Sequence, residues 1–178
     1  MRIRHWRALL TGAIAVTAVA AGVVAVTNTA NAAISDGTTA RILAKSTDGD
    51  RFYVMPTGEL RSTFHAADVY TFRITSCGGG EGVCYEIQDA VGDNLTCMFY
   101  DTQLDKISYD GSCGTPSPYT KWRIDSLEGG GVRIRPLSHL RRCLVYDPAR
   151  LPDYLYTFIK PCAEHPTSHK RFWFVKLA

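Results

Sequence analysis

Beyond residue 33 or so, the chain reads as short apolar–polar alternations broken by clusters of Gly, Asp, Asn, Ser and Pro. In the central part these runs are Val83–Gln88, Thr96–Tyr100, Lys106–Tyr109 and Lys121–Asp125, rich in Val, Ile, Tyr, Phe and Thr. Period-2 runs of such residues between turn formers predict strands. No segment of this part sustains an apolar period of 3.6 residues, so the predicted class is all-β.

The strand pattern repeats. Arg51–Met55 aligns with Thr96–Asp101 and with Arg142–Asp147, and Tyr70–Ser76 aligns with Tyr119–Ser126 with one insertion. Phe52 to Cys97 spans 45 residues and Cys97 to Cys143 spans 46; Phe72 to Trp122 spans 50 and Trp122 to Trp173 spans 51. Ile42, Ile87 and Ile134 precede their anchors by 10, 10 and 9 residues. Three repeats (about 40–76, 83–126 and 132–177) of four strands predict twelve short strands. Closing them with pseudo-threefold symmetry leaves few exposed edges. Phe72, Trp122 and Trp173 are expected to cap one core as packing residues.

Residues 1–32 differ. Arg2, Arg4 and Arg7 precede an apolar stretch from Ala8 to about Val26, and Ala30-Asn31-Ala32 supplies small residues where a signal peptidase cuts. The expectation is a secretory signal over 1–32, a single domain over 33–178 and a secreted, extracellular product. The whole chain carries 20 basic and 17 acidic residues; without the three leader arginines the balance is 17 − 17 = 0. A neutral mature chain gives no reason to expect a nucleic-acid partner, and no later segment is apolar enough to be expected in a membrane. The remaining 178 − 32 = 146 residues suit one domain burying roughly 70% of its unfolded surface. A hydrophobic content of 46% excludes a disordered chain. Six cysteines, all after the leader, imply disulfides in an exported domain, although six allow 15 pairings.

A Cys-aliphatic strand start recurs at Cys97 and Cys143, a second cysteine follows 16 or 19 residues later, and a Trp stands 9 or 11 residues after that. From about Ala40 to Lys176 this pattern resembles the β-trefoil of ricin B-type lectins. The resemblance implies disulfides within repeats, Cys97 with Cys113 and Cys143 with Cys162, which leaves Cys77 with Cys84 across a glycine-rich turn. It also implies carbohydrate binding without catalysis. The first repeat has Phe52 where the others have cysteine, an aromatic expected to fill that space.

Sugar recognition needs an acidic acceptor for hydroxyls and an aromatic face for the ring. The family places an Asp two residues after the first repeat cysteine, but this chain has Phe99 and Val145 there. Asp101 and Asp147, two residues further along with the same parity, are the candidate acceptors. Tyr109 and Phe158, each four residues before the second cysteine, are candidate aromatic faces. Tyr100 and Tyr146 are further candidates, because alternation sets them opposite the core-facing cysteines and so toward solvent. The first repeat has Pro56 in place of the Asp, so a site is expected only in the second or third repeat. The family's Gln-x-Trp signature keeps only its Trp, in Thr120-Lys121-Trp122 and Arg171-Phe172-Trp173.

Catalytic signatures are missing. There is no Gly-x-Ser-x-Gly elbow, and the glycine runs at 78–80 and 129–131 lack the Lys-Ser/Thr of a phosphate loop, so they read as turns. His165 and His169 flank Pro166 with no third ligand, so they read as solvated loop residues; no metal and no cofactor are expected. The leading reading is a secreted, non-enzymatic carbohydrate- or polysaccharide-binding domain. Two alternatives are an inhibitor presenting Pro148-Ala149-Arg150-Leu151-Pro152 to an extracellular protease, and a trefoil binding another extracellular protein without a sugar site.

Overall fold

A computed structural model describes residues 36–62, 70–78, 84–91, 96–151 and 156–177. The expected secretory signal over 1–32, Val83 and Pro152 lie outside them. Twelve strands occur among the described residues, with no α-helix: β1 (Thr38–Lys45), β2 (Arg51–Val54), β3 (Leu60–Ser62), β4 (Phe72–Ser76), β5 (Tyr85–Asp89), β6 (Thr96–Asp101), β7 (Lys106–Ser112), β8 (Lys121–Ser126), β9 (Val132–Pro136), β10 (Arg142–Val145), β11 (Phe158–Pro161) and β12 (Trp173–Lys176).

Six of them form a ring. Antiparallel pairing runs β1–β4–β5–β8–β9, and β12 returns to β1. Between β9 and β12 the link is one bridge, Val132 to Phe172. The other six strands pair as the hairpins β2–β3, β6–β7 and β10–β11. Three barrel-strand pairs and three hairpins in threefold arrangement make this a β-trefoil.

The symmetry appears residue by residue. Ala40 pairs with Phe72, Tyr85 with Trp122 and Val132 with Phe172. Two residues along, Ile42 opposes Phe174, Ile74 opposes Ile87 and Ile124 opposes Ile134. Alternation turns these pairs inward. Phe72, Trp122 and Phe172 are fully buried in one core cluster with Ile42, Ile87 and Ile134.

This register corrects the expected anchor of the third repeat. Phe172, not Trp173, is the equivalent of Trp122, and a shift of one residue moves a side chain to the opposite face. Trp173 lies half-buried outside, with the Lys45 ammonium 4.4 Å from its ring centroid. In the first repeat Phe52 is buried, but Tyr53 opposes Leu43 as Cys97 opposes Gln88, so Tyr53 holds the register place of the cysteine.

The disulfides are Cys77–Cys84, Cys97–Cys113 and Cys143–Cys162, each local to its part of the chain. Gly129, Gly130 and Gly131 all take positive φ in the β8–β9 turn. At Gly131 a Cβ would also lie 2.8 Å from the Phe172 carbonyl oxygen, so glycine lets the barrel close there.

Candidate functional site

The tyrosines expected at the surface lie inside. Tyr100 is 2% exposed and Tyr146 is 3% exposed. The residues facing the core are Met98 with Tyr100 on β6, and Leu144 on β10 with Tyr146 just after it, while Cys97 and Cys143 are buried on the other side by their own disulfides. Burial of a cysteine therefore gave the wrong parity. Both hydroxyls are engaged. That of Tyr100 donates to Asp105 at 2.9 Å and accepts from Arg142 at 3.0 Å. That of Tyr146 donates to the Arg171 carbonyl at 3.0 Å and accepts from the Lys45 amide at 3.2 Å.

In the second repeat the candidates do not converge. Asp101 accepts the amides of Gln103 and Leu104 at 2.8 and 3.1 Å, closing the β6–β7 turn. Tyr109 packs against the core, its ring stacked on Phe72 with centroids 5.4 Å apart. Its hydroxyl is buried and has no hydrogen-bond partner among the described residues. Burial, with Asp89 and Tyr70 nearby, pushes its pKa well above the usual tyrosine value. Tyr109 is thus half-buried against the core, with a ring face taken by Phe72.

The third repeat is different. A cleft of about 390 Å³ is lined by Asp147, Tyr146 and Phe158, three of the expected residues, together with Val145, Arg150, Tyr156, Lys160, His165 and His169. Each wall has a local cause. On β11, Ile159 is fully buried, so alternation turns Phe158 and Lys160 outward, and Tyr156 shares their parity. Asp147 caps the 3-10 turn Pro148–Arg150, accepting the Ala149 amide at 3.1 Å. Its carboxylate also meets Arg150 at 3.3 Å and His169 Nε2 at 3.9 Å. The Tyr146 amide donates to the His169 carbonyl at 3.0 Å, and Lys170 Nζ donates to the Cys162 carbonyl at 2.7 Å. These bonds fold the 162–170 loop over the cleft's edge.

His165 and His169, expected as solvated loop residues, are half-buried wall residues with ring centroids 6.0 Å apart. Tyr156 and Lys160 escaped the sequence reading too, although the alternation Tyr156-x-Phe158-x-Lys160 marks them as one face. The Arg150 segment is a 3-10 turn whose Arg is ion-paired with Asp147. Among the described residues no group of three His, Cys, Asp or Glu side chains is placed to hold a metal.

No protein-family model matches the chain, and no curated protein matches it in sequence. Solved structures do match in fold. A mosquitocidal holotoxin superposes with TM-score 0.62 at 14% identity over 82% of this chain, which corresponds to only 18% of the holotoxin. The "BEL beta-trefoil" superposes with TM-score 0.60 at 12% identity, covering 82% of this chain and 97% of that one. A Polyporus squamosus lectin bound to a human-type influenza-binding epitope gives TM-score 0.52 at 13% identity, covering 81% and 50%. At these identities the likeness establishes the β-trefoil fold alone.

Proposed function

We propose that this protein is a secreted, non-enzymatic carbohydrate-binding domain whose sugar site is the third-repeat cleft. The observation that carries the reading is the convergence there of the Asp147 carboxylate with the outward rings of Phe158 and Tyr156. An acidic acceptor beside aromatic faces suits one or two sugar residues, with hydroxyls donating to Asp147 and the apolar ring face lying on Phe158. The trefoil fold and its lectin neighbour are compatible with this reading, as are three disulfides with export. A single shallow site of this kind binds near millimolar, about −4 kcal/mol.

The test is a glycan array followed by affinity measurement on the purified, disulfide-bonded protein. Phe158→Ala and Asp147→Asn should each weaken binding at least tenfold; Asn retains the capping oxygen, so the 148–150 turn survives. Asp101→Asn, at a carboxylate that closes the β6–β7 turn and does not line the cleft, should bind like wild type. A wild-type protein that bound no glycan would sink the proposal in favour of a protein-binding trefoil.

A further inference from the structure

The described residues forming the cleft carry more positive than negative charge, although the chain after the leader is neutral. Arg150 and Lys160 stand against the single lining carboxylate, Asp147. Asp147 is already engaged by a backbone amide, Arg150 and His169. Lys160 also approaches Asp105, at 3.6 Å, but that carboxylate is shared with Arg142. A third cation adjoins the aromatic wall. The Lys106 ammonium lies 5.8 Å from the Tyr156 ring centroid and 5.9 Å from that of Phe158, and Lys160 lies 5.9 Å from Phe158 on its own account.

Resting on the carbohydrate reading, we propose that the ligand is an acidic glycan, a sugar bearing a carboxylate or sulfate group. Two ammonium groups lie over the Phe158 ring, each 5.9 Å from its centroid, so a sugar that takes their place on the ring face meets both cations at its edge. A sugar lying on Phe158 therefore puts a ring substituent within reach of Lys106 and Lys160. A neutral sugar would use the ring and Asp147 but leave the cations with water. An acidic peptide offers the same charge without an apolar pyranose face for Phe158 and Tyr156, so the aromatic wall favours the glycan.

Matched polymers isolate the charge: polygalacturonate against its methyl ester, and dextran sulfate against dextran, with polyglutamate as the peptide arm. Binding to the acidic member of at least one pair should exceed binding to its neutral partner by tenfold or more. Which pair responds separates carboxylate from sulfate. Lys106→Gln/Lys160→Gln should remove most of that difference by bringing binding of the acidic polymer down toward that of its neutral partner, and Phe158→Ala should weaken both. Circular dichroism and melting temperature verify that the variants fold. Equal binding within both pairs would overturn the acidic-glycan inference and leave the carbohydrate reading standing. Polyglutamate binding as tight as the acidic polysaccharide would overturn the inference too, and binding to no glycan of the array or of these pairs would overturn both.

Discussion

Val132 and Phe172 exchange both backbone hydrogen bonds, with N···O distances of 2.7 and 2.9 Å, and that single bridge closes the barrel between β9 and β12. The Phe172 side chain then occupies the place that Phe72 and Trp122 hold in the other two repeats.

Phe172→Ala should therefore destabilise by about 3–5 kcal/mol, as a fully buried aromatic does. Trp173→Ala should cost less despite the larger ring, because the indole is half-buried outside the core and its cation–π pair with Lys45 is worth about 0.5–1 kcal/mol. Urea unfolding of the two variants measures both. A larger loss for Trp173 would restore the alignment expected from sequence.

Alkaline pH should destabilise the fold through its tyrosines. Burial, then the hydrogen bond to Asp89 and its charge, pushes the Tyr70 hydroxyl from the ordinary 10.0 up to about 12. Burial raises Tyr100, Tyr109 and Tyr146 as well. A raised folded pKa means that the unfolded chain releases its protons first, so this stability is complete below pH 10 and falls as pH climbs toward 12. Absorbance at 295 nm should show a late phase of ionisation coincident with loss of far-ultraviolet dichroism. Tyr70→Phe should diminish that phase.

Acid should act through Asp105. Its burial raises the pKa, but the hydrogen bond from Tyr100 and the charge of Arg142, with Lys160 beyond, bring it below the ordinary 3.8. A lowered folded pKa contributes stability that is present above the usual carboxylate range and lost as pH falls through the folded value. Asp105→Asn should cost about 1–3 kcal/mol at neutral pH, as expected for hydrogen bonds to a charged group. It should also flatten the acid limb of the stability profile. Asparagine tolerates the left-handed backbone found there, φ 53°, so strain does not confuse the result.

Loss of disulfides should follow loop length. Replacing both Cys143 and Cys162 by Ser opens a separation of 19 residues and should cost about 3 kcal/mol. Removing Cys77–Cys84, with a separation of 7, should cost somewhat less, about 2.5 kcal/mol. Chemical denaturation of each double variant, with the other bridges intact, measures the two costs separately.

The fold was legible because a trefoil writes its symmetry into spacing. Ile42, Ile87 and Ile134 fall on equivalent barrel strands, and the four runs of the second repeat became β5 to β8. Face was less legible. In Arg171-Phe172-Trp173 two adjacent aromatics compete for one inward place, and composition favoured the indole while register chose the phenyl. Cys97 and Cys143 misled for a different reason: a cysteine can be buried by its partner sulfur on the side away from the core. Tyr109 offered no signal against exposure, since its stacking on Phe72 joins two repeats through a long-range contact. Asp147 and Phe158 were within reach because they flank one hairpin. The basic and histidine wall was not, because His165 and His169 reach the cleft through a loop fixed by bonds to Tyr146 and Cys162.

The partnership of β1 with β12 makes the first strand of the barrel depend on the last. Ala40 lies opposite Lys176, so a chain that lacks β12 can hold all three hairpins, β2–β3, β6–β7 and β10–β11, but no ring. Until the final residues emerge, one side of β1 lacks its neighbour and the inner faces of Ile42 and Phe72 lack the wall built by Phe172 and Phe174. Closure of the ring waits for β12, and contacts this distant in sequence make for slow closure.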